Sequence, residues 1–256
     1  MNGASDAMAE PGDRLRLLRA GAPRPLLSRS AEARLGPRQH DVLEQLETIF
    51  LDSGFSSLTI ADLAAGVGCS RRTLYEIAPS RDQLVLVVLD RFLHKKGRSA
   101  LDSIDPTDSF DRQIRAYLGG GVKFVWHAPL ADDLADDAPA RRLVDHHYRF
   151  VMTVIERLVS LGIDTGEFRP VNPAIVAAAI TGASLFIDEP DMTERLGITR
   201  TDTIEQILDL VLPSITASLR AGSSAGSSAG HGADSPRSPA AQHDSIEMPD
   251  DQEPAR

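Results

Sequence analysis

The span from Thr59 to Ile77 leaves the chain few choices, because two helix start signals and a glycine stop follow one another within it. Thr59 with Asp62 is a capping box, in which each side chain takes the other residue's orphan backbone N–H. Gly66-Val67-Gly68 supplies the left-handed conformation that ends a helix. Ser70 then caps a segment from Arg71 to Ile77, and Pro79 stops that segment from running on. Helices of about two turns do not hold themselves up in water, so both need longer partners. Those partners lie on either side. Gly36-Pro37 sets proline in a first turn ahead of Val42, Leu43, Leu46, Ile49 and Phe50 at helical spacing, ending at Gly54. Ser80 with Gln83 opens another capping box before an apolar segment, Leu84 to Leu93, that continues toward Ser99.

The short pair has the build of a helix-turn-helix. A helix that enters a major groove shows several polar side chains at its N-terminal end while its other face packs on the helix before it. Ser70, Arg71, Arg72, Thr73 and Tyr75 make the polar set, and Leu74 the packing one, over a mini-core of Ile60, Leu63, Ala64, Val67 and Cys69. A formal net charge of -10 excludes a surface that binds nucleic acid throughout and leaves room for one local basic site.

The run Leu58-Thr59-Ile60-Ala61-Asp62-Leu63-Ala64-Ala65-Gly66-Val67-Gly68-Cys69-Ser70-Arg71-Arg72-Thr73-Leu74-Tyr75 is preceded by Ile49-Phe50 and Gly54-Phe55 and followed by Pro79-Ser80-Arg81-Asp82-Gln83-Leu84. It resembles the DNA-binding domain of TetR/AcrR-family transcriptional regulators, over residues 36–92. The resemblance implies a homodimer whose N-terminal three-helix heads read two half-sites of a double-stranded DNA operator. It further implies a larger C-terminal helical domain that binds a small-molecule inducer and dimerises. Thr59 then caps the second helix and touches phosphate, Arg71, Arg72 and Thr73 face bases or groove, and Tyr75 contacts phosphate. Arg81 stands where the family usually has a lysine near the DNA backbone, and Ser70 and Arg38 complete the expected DNA-binding set. Two residues depart from the family pattern: Arg72 replaces a common glycine and Ala78 a phenylalanine, while Glu76 adds an acid beside the groove.

Helix signals dominate the rest, with long segments over residues 110–127, 138–162, 173–187 and 203–219, so the expected fold class is all-α. The triplet Gly119-Gly120-Gly121 is expected to weaken or bend the first of these. The expected organisation is a disordered basic arm over residues 1–33 and a helix-turn-helix domain over 34–80. A regulatory and dimerisation domain over 81–220 and a disordered acidic tail over 221–256 follow. The arm carries Arg14, Arg16, Arg19, Arg24, Arg29 and Arg34, which suits phosphate or minor-groove contact. No apolar run reaches the length of a membrane span, and the single cysteine cannot close an intrachain disulfide, so a cytoplasmic protein with no membrane partner is expected.

Tyr117, Trp126, His127, His147 and Phe150 are the candidates to line an inducer pocket between helices. Asp145, His146 and His147 are adjacent and point in different directions on a helix, so no metal site and no cofactor are expected. The small residues Ala177, Ala178, Ala179, Gly182 and Ala183, with the apolar stripe from Ile204 through Leu208 and Val211 to Leu219, suit a dimeric four-helix bundle. The chain lacks GxSxG, HExxH, a P-loop and a dinucleotide-binding glycine motif. The expectation is a repressor released by a ligand. The competing reading is a helical-bundle enzyme or small-molecule-binding protein with a structural helix-turn-helix.

Overall fold

The computed structural model describes residues 11–122, 128–187, 195, 197 and 199–217. These residues are all-α, and the one extended pairing among them is an isolated bridge between Phe168 and Thr216. In chain order the helices are α1 (Pro11–Arg19), α2 (Arg29–Glu32), α3 (Pro37–Ser53), α4 (Ile60–Gly66), α5 (Arg71–Ile77) and α6 (Arg81–Asp102). They continue as α7 (Phe110–Val122), α8 (Ala128–Asp136), α9 (Ala138–Asp164), α10 (Pro173–Ile187) and α11 (Arg200–Ile215). No described helix is long and apolar enough to cross a membrane.

The Thr59–Asp62 capping box and the glycine stop form as expected, while Ser80 acts as a simple N-cap of its helix. Asp62 N–H donates to Thr59 Oγ1 and Thr59 N–H to Asp62 Oδ2, Gly68 takes φ 59°, and Ser70 and Ser80 accept from Thr73 N–H and Gln83 N–H. The buried residues fall into two clusters. One joins Leu43, Leu46 and Phe50 of α3 with Leu63, Leu74 and Leu84 to Leu89, and extends to Leu130 and Leu134 of α8 and Ala140 and Val144 of α9. The other holds Ala100 to Ile104, Ile114, Tyr117, Phe150 to Val159, Val176 to Ile180, and Ile204 to Ile215. The expected boundary at residue 80 is therefore not a break in packing. Both α6 and α9 start in the first core and end in the second.

Residues 11–33 are not a free arm, which corrects the expectation for that part of 1–33. Leu18 is 1% exposed in the second core, Arg157 donates to the carbonyls of Leu17 and Ala20 at 2.7 and 2.6 Å, and Arg14 lies over the Phe110 ring. Farther along, Leu26 N–H donates to Asp90 Oδ2 at 2.9 Å and Glu32 pairs with Arg91. The segment is thus fastened by Arg157 of α9 and Arg91 of α6, and of its own arginines Arg19 pairs with Asp102 of α6 and Arg14 bonds the Pro106 carbonyl. The segment over 110–127 is helical to Val122, with residues 123–127 outside the described part. Gly120 acts there as a contact, since a Cβ on it would lie 3.2 Å from Ala100 Cα on α6. α8 and α1 were not expected. Glu167, in the α9–α10 turn, caps α7 by accepting from Phe110 N–H and Asp111 N–H at 2.8 and 2.9 Å, while its carbonyl accepts Ala217 N–H beyond α11. The acidic tail lies outside the described residues.

Candidate functional site

α5 is amphipathic. Leu74 and Ile77 are buried against α4 and α3, and Arg71, Arg72, Tyr75 and Glu76 face solvent, with Tyr75 49% exposed. Arg71 makes no ion pair among the described residues, so its guanidinium is available to a partner. Arg72 Nε donates to Glu76 Oε1 at 3.1 Å across one helical turn; the pair is well exposed, so it holds Arg72 loosely. Thr73 is half-buried, with its hydroxyl 3.0 Å from the capping Ser70 hydroxyl. Thr59 is exposed at the start of α4, but its hydroxyl donates to Asp62 at 2.6 Å inside the capping box, and those bonds lower the pKa of Asp62. Ala78, where a larger ring was expected from the resemblance, is buried at the end of α5.

Two of the expected DNA-binding residues, Arg81 and Arg38, clamp the fold. Arg81 Nε donates to the Leu58 carbonyl at 2.7 Å, and its Nη2 serves the carbonyls of Phe55 and Ser56, so one guanidinium gathers the α3–α4 loop. Arg38 Nη2 donates to the Val67 and Gly68 carbonyls at 3.0 and 2.9 Å and ties the α4–α5 turn to α3. The resemblance puts Arg81 near the DNA backbone and includes Arg38 in the DNA-binding set; in the folded chain each guanidinium serves backbone carbonyls. The same α3–α4 loop is held from its opposite side. Asp133 of α8 accepts from the N–H groups of Phe55 and Ser56 and from the Ser56 hydroxyl.

The expected inducer residues do not converge. Tyr117 and Phe150 are core side chains, Trp126 and His127 lie outside the described residues, and only His147 lies near an opening. The opening is a cleft of about 700 Å³ between residues 22–26, α6 and α9, with Pro23, Leu26, Leu86 and Leu143 as its apolar lining and Arg24, Arg142 and Arg149 at its edge. Asp90 reaches it from below. Beside Asp90 sit His94 and His147, their ligand atoms within 4.8 Å of one another. His94 Nε2 donates to the Pro23 carbonyl at 3.0 Å and Nδ1 to the Asp90 carbonyl at 2.8 Å. Burial opposes charge on that ring, but the Asp90 carboxylate and the two carbonyls outweigh it and raise the pKa to about 9. Burial lowers the pKa of His147, whose Nδ1 donates to the Leu143 carbonyl at 3.1 Å. Asp90 and His94 at i,i+4 on one helix were a signal available in the sequence; the third member is brought by α9.

Solved structures share the all-α fold. The repressor SmeT of the Stenotrophomonas maltophilia multidrug efflux pump SmeDEF aligns over 73% of this chain and 94% of its own, with TM-score 0.58 and 16% identity. A TetR-family transcriptional regulator from Agrobacterium tumefaciens aligns over 70% of this chain and 98% of its own, with TM-score 0.52 and 21% identity. The chain has the TetR-family fold. In sequence, the uncharacterised HTH-type transcriptional regulator YfiR of Bacillus subtilis is 27% identical over 152 residues, covering 55% of this chain and 73% of YfiR. No protein-family model matches the chain.

In this TetR fold the last two helices divide their faces differently from the expected stripe. Leu208 and Leu212 of α11 are fully buried in the chain's own core, together with Ile204 and Ile215. The outer face instead shows Leu210, 77% exposed, while α10 turns Ile175, Ala178, Ala179, Gly182 and Leu185 outward at helical spacing. Leu208 therefore belongs to folding.

Proposed function

We propose that the protein is a homodimeric, sequence-specific DNA-binding transcriptional regulator, of repressor type, released from a double-stranded operator by a small molecule. The observation that carries the reading is the outward face of α5, where Arg71, Arg72 and Tyr75 stand exposed on a helix whose inner face is fully packed. Beyond the loose Arg72–Glu76 pair, this outward face is open to a partner, and a major groove accepts such a helix. The naming of YfiR as an HTH-type transcriptional regulator and of SmeT as a repressor supports the same reading. A regulator of this kind works beside the DNA, in the cytoplasm.

Arg71 reads a base edge, Tyr75 and Thr73 hold phosphate or groove wall, and Arg72 joins once Glu76 releases it. Two copies pair through the outer faces of α10 and α11 and present their α5 helices to successive major grooves, about 34 Å apart. The effector enters the cleft beside α6, where an apolar lining under three arginines suits a small anion with an apolar body. Occupying that cleft shifts α6 and α9, and α8 passes the shift to the head through Asp133. Fluorescence anisotropy with fragments flanking the protein's own gene tests the reading. Saturable binding to one fragment, competed by the same sequence and weakened steeply by salt, is expected. Equal, weak binding to every fragment would overturn it.

A further inference from the structure

We propose that Asp90, His94 and His147 form a binding site for a divalent transition-metal ion of the zinc class, placed where α6 and α9 pass from one hydrophobic core to the other. Two atoms carry the inference. Asp90 is 2% exposed, and its Oδ1 lies 3.2 Å from His94 Nδ1 in an ion pair off hydrogen-bond alignment; His147 Nε2 is buried without a partner among the described residues. Both are lone-pair acceptors, and His147 Nε2 is the one left without a donor. The two cannot satisfy each other, and a cation held by Asp90 and both rings serves His147 Nε2 while replacing the His94 charge beside Asp90.

The surrounding bonds orient all three groups toward one point. His147 Nδ1 is held by the Leu143 carbonyl, which leaves Nε2 inward. His94 Nε2 is held by the Pro23 carbonyl, and Nδ1, which donates to the Asp90 carbonyl at 2.8 Å, lies 3.2 Å from Asp90 Oδ1 and gives up that bond to the ion. Asp90 Oδ2 is held by Leu26 N–H, which leaves Oδ1 inward. Histidine ligands of metals characteristically donate their second ring N–H to a carbonyl in this way. A tetrahedral ion bonded at about 2.0–2.1 Å spaces its donors about 3.3 Å apart. Asp90 and His94 already have that spacing, and side-chain torsions close the remainder from within 4.8 Å. Two imidazoles with one carboxylate favour zinc, cobalt or nickel over calcium or magnesium. Binding displaces the proton on His94 Nδ1. A fourth position opens into the cleft that Asp90 lines, where Arg24, Arg142 and Arg149 favour an anionic ligand.

Full-length protein stripped with a chelator is titrated with cobalt(II) and zinc(II), using circular dichroism to follow the fold. Wild type is expected to take up about one equivalent of cobalt with the visible bands of a nitrogen–oxygen site, lost on adding zinc, and to melt at higher temperature with zinc. His147→Gln is expected to lose the bands and at least about tenfold in affinity while keeping its helicity. Asp90→Asn serves as a second variant, and His40→Gln, outside the site, retains wild-type binding. No cobalt bands in wild type would overturn the proposal, whatever the variants do. Bands unchanged in His147→Gln would overturn it too, by assigning the metal to other histidines.

Discussion

The carboxylate of Asp133 occupies the space that a side chain on Gly54 would need. A Cβ at Gly54 would overlap the oxygen that accepts Phe55 N–H and Ser56 N–H, and would also reach 3.0 Å from the Pro129 carbonyl. Gly54 has φ 73°, so the position rejects a side chain on backbone grounds as well. α8 is thereby seated against the loop that starts α4.

Gly54→Ala is expected to cost at least about 2 kcal/mol in chemical denaturation, from backbone strain and the displaced carboxylate. In an Asp133→Ala background the same substitution should cost less, because the backbone strain and the Pro129 contact remain while the displaced carboxylate is gone. A double-mutant cycle with no coupling would disprove the shared space.

Arg71 and Arg81 should separate cleanly. Arg71→Ala is expected to weaken operator binding by about 1–3 kcal/mol, relax preference at one base position, and leave the melting temperature near wild type. Arg81→Ala strands the carbonyls of Phe55, Ser56 and Leu58, and should cost about 1–3 kcal/mol of stability without altering base preference. Competition assays on single-base operator variants, read beside urea unfolding, check both. A stable Arg81→Ala protein with a flattened salt dependence would return Arg81 to the DNA backbone.

Deleting residues 1–33 is expected to lower the melting temperature, since it uncovers the site of Leu18 and leaves Arg157 without the carbonyls of Leu17 and Ala20. Leu18→Ala alone should cost about 2–5 kcal/mol. Unchanged thermal unfolding of both variants would show the segment to be a passive leader.

Replacing Ile175 and Leu210 with glutamate should yield folded monomers, because both side chains are on the outer face. Leu208→Glu should instead unfold the domain by burying a charge in the core. Sedimentation with circular dichroism distinguishes these outcomes, and a dimer that survives the double substitution would move the interface elsewhere.

The helix-turn-helix was legible because its signals are local: the partners in each capping box lie three residues apart, and the glycine turn needs no distant contact. α1 was not legible. Its three leucines sit among three arginines and an aspartate, and what holds it is Arg157, far along the chain. α8, rich in aspartate and starting near Pro129, has a linker's composition, yet Leu130 and Leu134 complete the head's core. Arg38 and Arg81 could be identified as cations but not as clamps, because the carbonyls they serve are gathered only by folding. The same holds for the face of α11: an apolar stripe shows that a helix is covered, and tertiary packing decides by which chain.

Glu167 reaches the start of α7 with its carboxylate and the segment beyond α11 with its carbonyl, so the two helices are geared through one residue. In the proposed dimer, a rotation of α11 against a partner copy would act through Glu167 on α7, whose Gly120 packs closely on Ala100 of α6. Assembly and the pitch of the linking helix would then be coupled. A change in how two copies meet is transmitted along the same shaft that an effector would turn.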